Sequence, residues 1–213
     1  MLTAIIDYES GNLHSAEKAF QRMAGETARG GTVVVTGDAD IVARADRIVL
    51  PGDGAFPACA AQLRGHSGLF EALVEAVERK GRPFLGICVG MQLMASRGFE
   101  YEPADGLGWV PGEVRRIAPA TPGLKVPHMG WNDLVIERAH PVLDGIETGD
   151  HAYFVHSYQL QVADPAHRIA HVDYGGAVTA IIGRDTMLGT QFHPEKSQKT
   201  GLRLIANFLR WTP

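Results

Sequence analysis

Apolar positions in the first half of this chain alternate between short unbroken runs and helical repeats. Residues 2–7 form an apolar run that ends in Asp7, followed by the turn-like Glu9-Ser10-Gly11-Asn12. Leu13, Ala16, Phe20, Met23 and Ala24 then recur at helical spacing, with Gly25 as a stop. A β-branched strand is predicted over residues 32–36, and a short helical or turn segment over 41–45. A third strand over 47–50 runs into Pro51-Gly52-Asp53-Gly54, and Leu69, Leu73, Ala76 and Val77 mark the next helix. Strands alternating with helices predict a parallel sheet covered on both faces.

The stretch from Arg82 to Arg97 is the centre of the pattern. Residues 83–87 form a short apolar run entered through Gly81 and Pro83, as in a strand buried on both sides. Gly86-Ile87-Cys88-Val89-Gly90 then repeats the G-x-S-x-G nucleophile elbow with sulfur in place of oxygen. Small residues on either side let strand and helix pass closely, with the central residue strained and exposed. Cys88 is thereby predicted at the start of a helix carrying Met91, Leu93 and Met94, a position that favours a thiolate.

After Arg97 the rhythm changes to short strands and turns, predicted over 114–117, 134–136, 153–158, 169–172, 178–183 and 187–192. These imply antiparallel pairs added to the parallel core in a mixed sheet. Leu202, Ile205, Phe208 and Leu209 mark a closing amphipathic helix. No repeat or linker interrupts the chain, so residues 1–213 are expected to form a single domain.

Composition narrows the function. The 213 residues are 45% hydrophobic and 21% charged, ordinary values for a globular chain. The net charge of −4, without a basic run, argues against a nucleic-acid surface. The first residues reach Asp7 without a basic leader or a long apolar segment, so neither a signal peptide nor a membrane span is expected. Two cysteines make no disulfide framework, and a cytoplasmic setting with both thiols reduced is the expectation. Small molecules or another protein are the expected partners.

Three segments that can do chemistry each follow a predicted strand, and ligands bind at the carboxyl ends of strands in such sheets. One is Cys88. The second is His193-Pro194-Glu195, in which Pro194 fixes the backbone so that His and Glu can lie on one side of an extended segment. A cysteine nucleophile needs a base, and the base needs a group to hold its tautomer, roles that His193 and Glu195 fit in that order. The third is the Gly52–Gly54 turn, which can aim a backbone N–H at a developing oxyanion beside that of Val89. Taken singly, each has a structural reading: a buried thiol, a surface polar pair, a tight turn. Cys59, in an Ala-rich stretch with no His nearby, reads as a small core or interface residue. The nine histidines show no metal-binding spacing, and no phosphate loop is present, so neither a metal nor a cofactor is expected.

Together, GICVGMQ at 86–92, PGDGAF at 51–56 and FHPEKSQ at 192–198 resemble the triad-type, class I glutamine amidotransferases. KVPHMGWN at 125–132, YFVHSY at 153–158 and HPEKSQ are similar, within that family, to the glutaminase subunits of imidazole glycerol phosphate synthase in histidine biosynthesis. The resemblance spans essentially the whole chain and implies a flavodoxin-like sheet. It implies that Cys88 attacks the carboxamide of glutamine, that His193 protonates the leaving ammonia, and that Glu195 orients His193. It places the oxyanion between Val89 and the loop of Asp53, and the glutamine pocket at Gly52, Gly54, Gln92, His156, Ser157 and Tyr158. Gln92, one turn beyond Cys88, has both a donor and an acceptor to offer. The partner implied is a barrel-shaped synthase subunit in a heterodimer, with His128, Met129, Gly130, Trp131, Asn132 and Lys196 near the interface. Asp53 departs from the family, where that position is often small and apolar. Its carboxylate is expected to turn away from the oxyanion, and a hydrogen bond from it to Cys88 would refute the assignment of this loop. The rival readings are another amidotransferase of the family, a cysteine peptidase with an open cleft, and a non-catalytic scaffold, for which an intact Cys88, His193 and Glu195 would have no use.

Overall fold

The alternation of strands and helices runs from the N-terminus. Strand β1 (Leu2–Ile6) leads to α1 (Leu13–Glu26), β2 (Thr32–Thr36), α2 (Ala39–Arg44), β3 (Arg47–Gly52), α3 (Phe56–Gly65) and α4 (Leu69–Val74). A π-helical turn at Glu75–Arg79 delivers the chain to β4 (Phe84–Cys88) and the single turn α5 (Val89–Gln92). Short strands follow: β5 (Arg97–Gly98), β6 (Ala104–Asp105), β7 (Gly112–Arg116), β8 (His128–Asp133), β9 (Val135–Ile136), β10 (His151–His156) and β11 (Tyr158–Val162). β12 (Arg168–Asp173), β13 (Ala177–Arg184), β14 (Met187–Thr190) and α6 (Gln198–Arg210) complete the chain. This computed structural model describes residues 1–10, 13–28 and 30–213, so Gly11 and Asn12 of the expected first turn lie outside the described residues.

Eight strands form the main sheet in the order β2-β1-β3-β4-β14-β13-β12-β9. The first five are parallel, and β13, β12 and β9 add antiparallel pairs, as the sequence predicts. β3, β4 and β14 are buried along their whole length, which is why they read as unbroken apolar runs rather than alternating ones. α1 packs on α6, with Phe20 and Phe208 edge to face at 6.4 Å, while α4 packs on α2 and α3. The Arg47 side chain, buried at the foot of β3, donates to the carbonyls of Phe208 and Trp211 and so ties the end of α6 to the sheet. Two smaller sheets, β10-β8 and β11-β7-β5-β6, flank the core.

Four expectations need correction. The strand predicted over 153–158 breaks at Ser157 into β10 and β11, which pair in different sheets. The segment after β14 is not extended: Pro194–Lys196 is a 3-10 turn, and His193 and Glu195 meet across it. α3 was not foreseen in its Ala-rich stretch, although it buries Phe56, Cys59, Ala60 and Leu63 at helical spacing. The helix after Cys88 ends at Gln92 rather than carrying Leu93 and Met94. The amides of Leu107, Gly108 and Val110 take the carbonyls of Leu93, Ala95 and Met94 that a longer helix would use, and the chain tightens into i to i+3 bonds.

The elbow depends on close backbone packing. A Cβ on Gly90 would stand 1.8 Å from the Leu50 carbonyl oxygen, and one on Gly86 would stand 2.7 Å from the Gly90 oxygen. Gly90→Ala therefore forces β3 away from the elbow, and overpacking of this kind costs about 1–3 kcal/mol. Urea unfolding should show a lowered midpoint for Gly90→Ala and a near-native one for Gly65→Ala, where a Cβ meets nothing within 4 Å. Equal midpoints for Gly90→Ala and the native chain would contradict this packing.

Candidate active site

Strand register brings the three chemical segments to one edge of the sheet. In the β3–β4 pair Gly52 stands opposite Cys88, and in the β4–β14 pair Thr190 stands opposite Ile87, so the turn after β3, the elbow and the chain after β14 emerge side by side. Cys88 has φ +54° and ψ −113°, a conformation disfavoured for a residue with a Cβ and typical of a strained functional turn. The thiol is almost buried and borders a cavity of about 280 Å³. Because α5 is a single turn, its macrodipole is small, and any stabilisation of charge on the sulfur falls to hydrogen bonds and neighbouring charges.

Those neighbours are His193 and Gln191. His193 Nδ1 lies 2.8 Å from Glu195 Oε1, and both side chains are less than a tenth exposed. Burial disfavours a charged ring, but the hydrogen bonds and charges of Cys88 and Glu195 outweigh it and push the His193 pKa up to about 10. The backbone around His193 is clamped. Its N–H donates to the Tyr153 carbonyl, while Ser197 Oγ donates to its carbonyl at 2.7 Å and accepts from the Tyr153 N–H at 3.0 Å. Gln191, fully buried, points its Nε2 at Cys88 Sγ across 3.8 Å.

The cavity wall includes Asp53, Gly54, Val89, Gln92 and the segment His156-Ser157-Tyr158. Gly52 does not line it. It lies underneath, where a Cβ would stand 2.7 Å from the Gly90 nitrogen and 2.9 Å from the Tyr8 hydroxyl. Asp53 is exposed, its carbonyl accepts from Ser10 Oγ at 2.9 Å, and no hydrogen bond joins its carboxylate to Cys88 among the described residues. Gln92 donates from Nε2 to the Tyr158 carbonyl at 3.0 Å and to Gln191 Oε1 at 3.1 Å. With both amide hydrogens engaged, only its oxygen remains for a ligand, not a donor and an acceptor together. Cys59 is buried in the core, where burial pushes its thiol pKa up.

Sequence reasoning missed Glu100 and Gln191. Glu100 places a carboxylate on the cavity wall and accepts from the Phe56 N–H at 2.8 Å. It lies in an irregular stretch after β5 with no local signal, whereas Gln191, immediately before the Phe192-His193 pair, was within reach. The expected interface residues divide by the period of β8. Met129 and Trp131 are 62% and 49% exposed, but His128 is buried against Phe154 and Asn132 points inward, because alternate residues of a strand face opposite ways. Lys196 is half-buried beside Glu195. Among the described residues no group of three or more His, Cys, Asp or Glu side chains is placed to hold a metal ion.

The chain is 76% identical over 213 residues, all of both chains, to a protein of Ruegeria pomeroyi named imidazole glycerol phosphate synthase subunit HisH. It is 70% identical, again over the full length of both, to one of the same name in Cereibacter sphaeroides. Among solved structures, a glutamine amidotransferase matches with a TM-score of 0.70 at 18% identity, covering 97% of each chain. The Trypanosoma brucei CTPS glutaminase domain with bound acivicin matches with a TM-score of 0.62 at 16% identity, covering 99% of this chain and 91% of that one. These two likenesses speak to fold alone. Residues 5–211 match the model of the class-I glutamine amidotransferases, and the chain belongs to that family.

Proposed function

We propose that the chain is the glutamine-hydrolysing subunit of an imidazole glycerol phosphate synthase in histidine biosynthesis, acting through a cysteine thioester. The observation that carries this reading is the line Cys88, His193, Glu195, with Cys88 on the wall of a cavity suited to one amino acid. The full-length likeness to the Ruegeria and Cereibacter proteins supports the pathway. A carboxylate at Glu100 and an amide oxygen at Gln92 on the wall suit an α-ammonium group, which an open peptidase cleft would have no reason to provide. The whole chain, residues 1–213, acts as one domain, a reading supported by the continuous apolar core from Ala4 to Trp211.

In this mechanism the Cys88 sulfur attacks the carboxamide carbon of glutamine. The negative charge that develops on oxygen is met by the Val89 N–H and the backbone of the Asp53–Gly54 turn. His193, which holds its proton well past neutrality, gives it to the departing nitrogen as the carbon–nitrogen bond breaks and ammonia leaves. Water then attacks the thioester carbon, His193 takes its proton, and the carbon–sulfur bond breaks to release glutamate. Glu195 keeps the ring oriented through both steps.

Ammonia released into water becomes ammonium and is no longer a nucleophile, so it must reach its acceptor directly. The acceptor site belongs to a barrel-shaped synthase subunit that forms a heterodimer with this chain in the cytoplasm. Exposed Met129 and Trp131 on β8, with Gly130 between them, are the surface offered to it, together with Lys196, whose turn packs on the adjoining strand β10.

Cys88→Ala should abolish glutamine hydrolysis in the assembled enzyme, and retention of full activity would remove the proposed nucleophile. Glu195→Gln should lower kcat by roughly 10²-fold or more, read by glutamate release. In NMR titration His193 should remain an imidazolium through neutral pH and lose its proton as pH rises toward 10, and Glu195→Gln should bring that transition down. A native ring titrating near 6.5 would contradict the charge pairing. Trp131→Ala should weaken association with the synthase subunit by roughly tenfold or more in a direct binding assay.

A further inference from the structure

The inward side of β8 begins a run of hydrogen bonds that can point in only one direction. The Asn132 amide is fixed at both ends, since Nδ2 donates to the Asp173 carbonyl at 3.0 Å and Oδ1 accepts from the Asp133 N–H at 2.8 Å. The same Nδ2 lies 3.3 Å from His128 Nε2. His128 Nδ1 lies 3.0 Å from His156 Nε2, and His156 Nδ1 lies 2.8 Å from the Tyr158 carbonyl oxygen. A carbonyl oxygen only accepts, so His156 Nδ1 carries the hydrogen. A neutral imidazole has one N–H, which leaves His156 Nε2 bare and makes His128 Nδ1 its donor. His128 Nε2 is then bare in turn, and Asn132 donates to it.

Both rings are neutral at physiological pH. Burial brings the His128 pKa down to about 4. Burial, joined by the charges of His128 and His193 and opposed by the Tyr158 carbonyl, brings that of His156 down to about 3.

That run ends on the Tyr158 oxygen, where a second run, leading to the sulfur, begins. The Tyr158 oxygen also accepts from Gln92 Nε2, whose second hydrogen goes to Gln191 Oε1. Gln191 is thereby oriented with its amino group toward Cys88 Sγ. Turning the Gln92 amide over would set its oxygen against the oxygens of Tyr158 and Gln191, and turning the Gln191 amide over would set two nitrogens together. Resting on the glutaminase reading above, we propose that His128 and His156 are positioning residues for the nucleophile. By holding in place the Tyr158 carbonyl on which Gln92 Nε2 also rests, they keep the Gln191 N–H on the Cys88 sulfur. They also tie that donor to the strand whose outer side carries Met129 and Trp131. A hydrogen bond to a charged sulfur is stronger than one between neutral groups, and it matters more here because the one-turn helix after Cys88 contributes little.

The test uses the full-length chain for alkylation of Cys88 by iodoacetamide against pH, followed by peptide mass, and the complex with its synthase subunit for glutamine kinetics. His128→Phe keeps a ring between Phe154 and Tyr174 but ends the run of hydrogen bonds, whereas His128→Asn keeps a donor at the Nδ1 position. His128→Phe is expected to move the alkylation profile to higher pH and lower kcat roughly tenfold with a smaller change in KM. His128→Asn should recover most of both. Gln191→Met should reproduce the shift, and the double variant should be no worse than Gln191→Met alone, since both break one chain. A native profile and kcat in His128→Phe, equal impairment in His128→Asn, or losses that multiply in the double variant would each overturn the proposal. Should His128→Phe fail to fold, Asn132→Leu combined with Gln191→Met carries the same comparison. A native complex that does not hydrolyse glutamine would instead overturn the functional reading, while the alkylation profiles still decide this one.

Discussion

Everything at this site depends on three parallel strands held in one register. β3, β4 and β14 are adjacent and buried, and their pairing places Gly52 opposite Cys88 and Thr190 opposite Ile87. Hydrogen bonding along a ladder allows no partial slip, because a shift of one residue would turn buried side chains to the wrong face. The turn after β3, the elbow after β4 and the chain after β14 therefore leave the sheet together. Glycines make this approach possible. Between β3 and the elbow the backbones meet where no side chain fits, at Gly90 against Leu50 and at Gly52 against Gly90.

Within that frame, neighbours rather than residue type set the proton states. Three buried histidines lie close together, and all lose favour for the charged form through burial. His193 alone has hydrogen-bond and charge partners on both sides, Cys88 and Glu195, and these outweigh desolvation. His128 and His156 face a second imidazole, a carbonyl and an amide, none of which repays the loss of water, and they stay neutral. One ring is thus suited to carrying a proton and the other two to fixing the direction of hydrogen bonds. The same logic sorts the carboxylates. Asp53 lies on the surface, Glu195 is turned toward His193, and Glu100 sits on the cavity wall.

The β8–β10 ribbon meets the site at two points. At one, Tyr153 and Ser197 clamp the backbone of His193. At the other, His128 and His156 lead to Tyr158 and Gln92. Its outer face bears Met129 and Trp131, large apolar groups exposed where an isolated chain has no use for them. The exposed apolar face and the groups around the thiol are therefore two sides of one pair of strands.

Alone, the sequence determined what local pattern can carry. The apolar runs of the parallel strands, the elbow glycines around Cys88, the His193-Pro194-Glu195 spacing and the amphipathic face of α6 are all features of neighbouring residues, and each is visible without a fold. Tertiary structure decided whatever depends on distant partners. α5 stops after one turn because amides from residues 107–110 take its onward carbonyls. Residues 153–158 divide between two sheets because each half finds a different strand to pair with. Glu100 reaches the cavity only by the path of the chain after β5, and Gln92 becomes a pure acceptor only because Tyr158 and Gln191 use both its hydrogens. A side chain's chemistry is written in the sequence, but which of its atoms stay free to act is settled by what the fold brings against them.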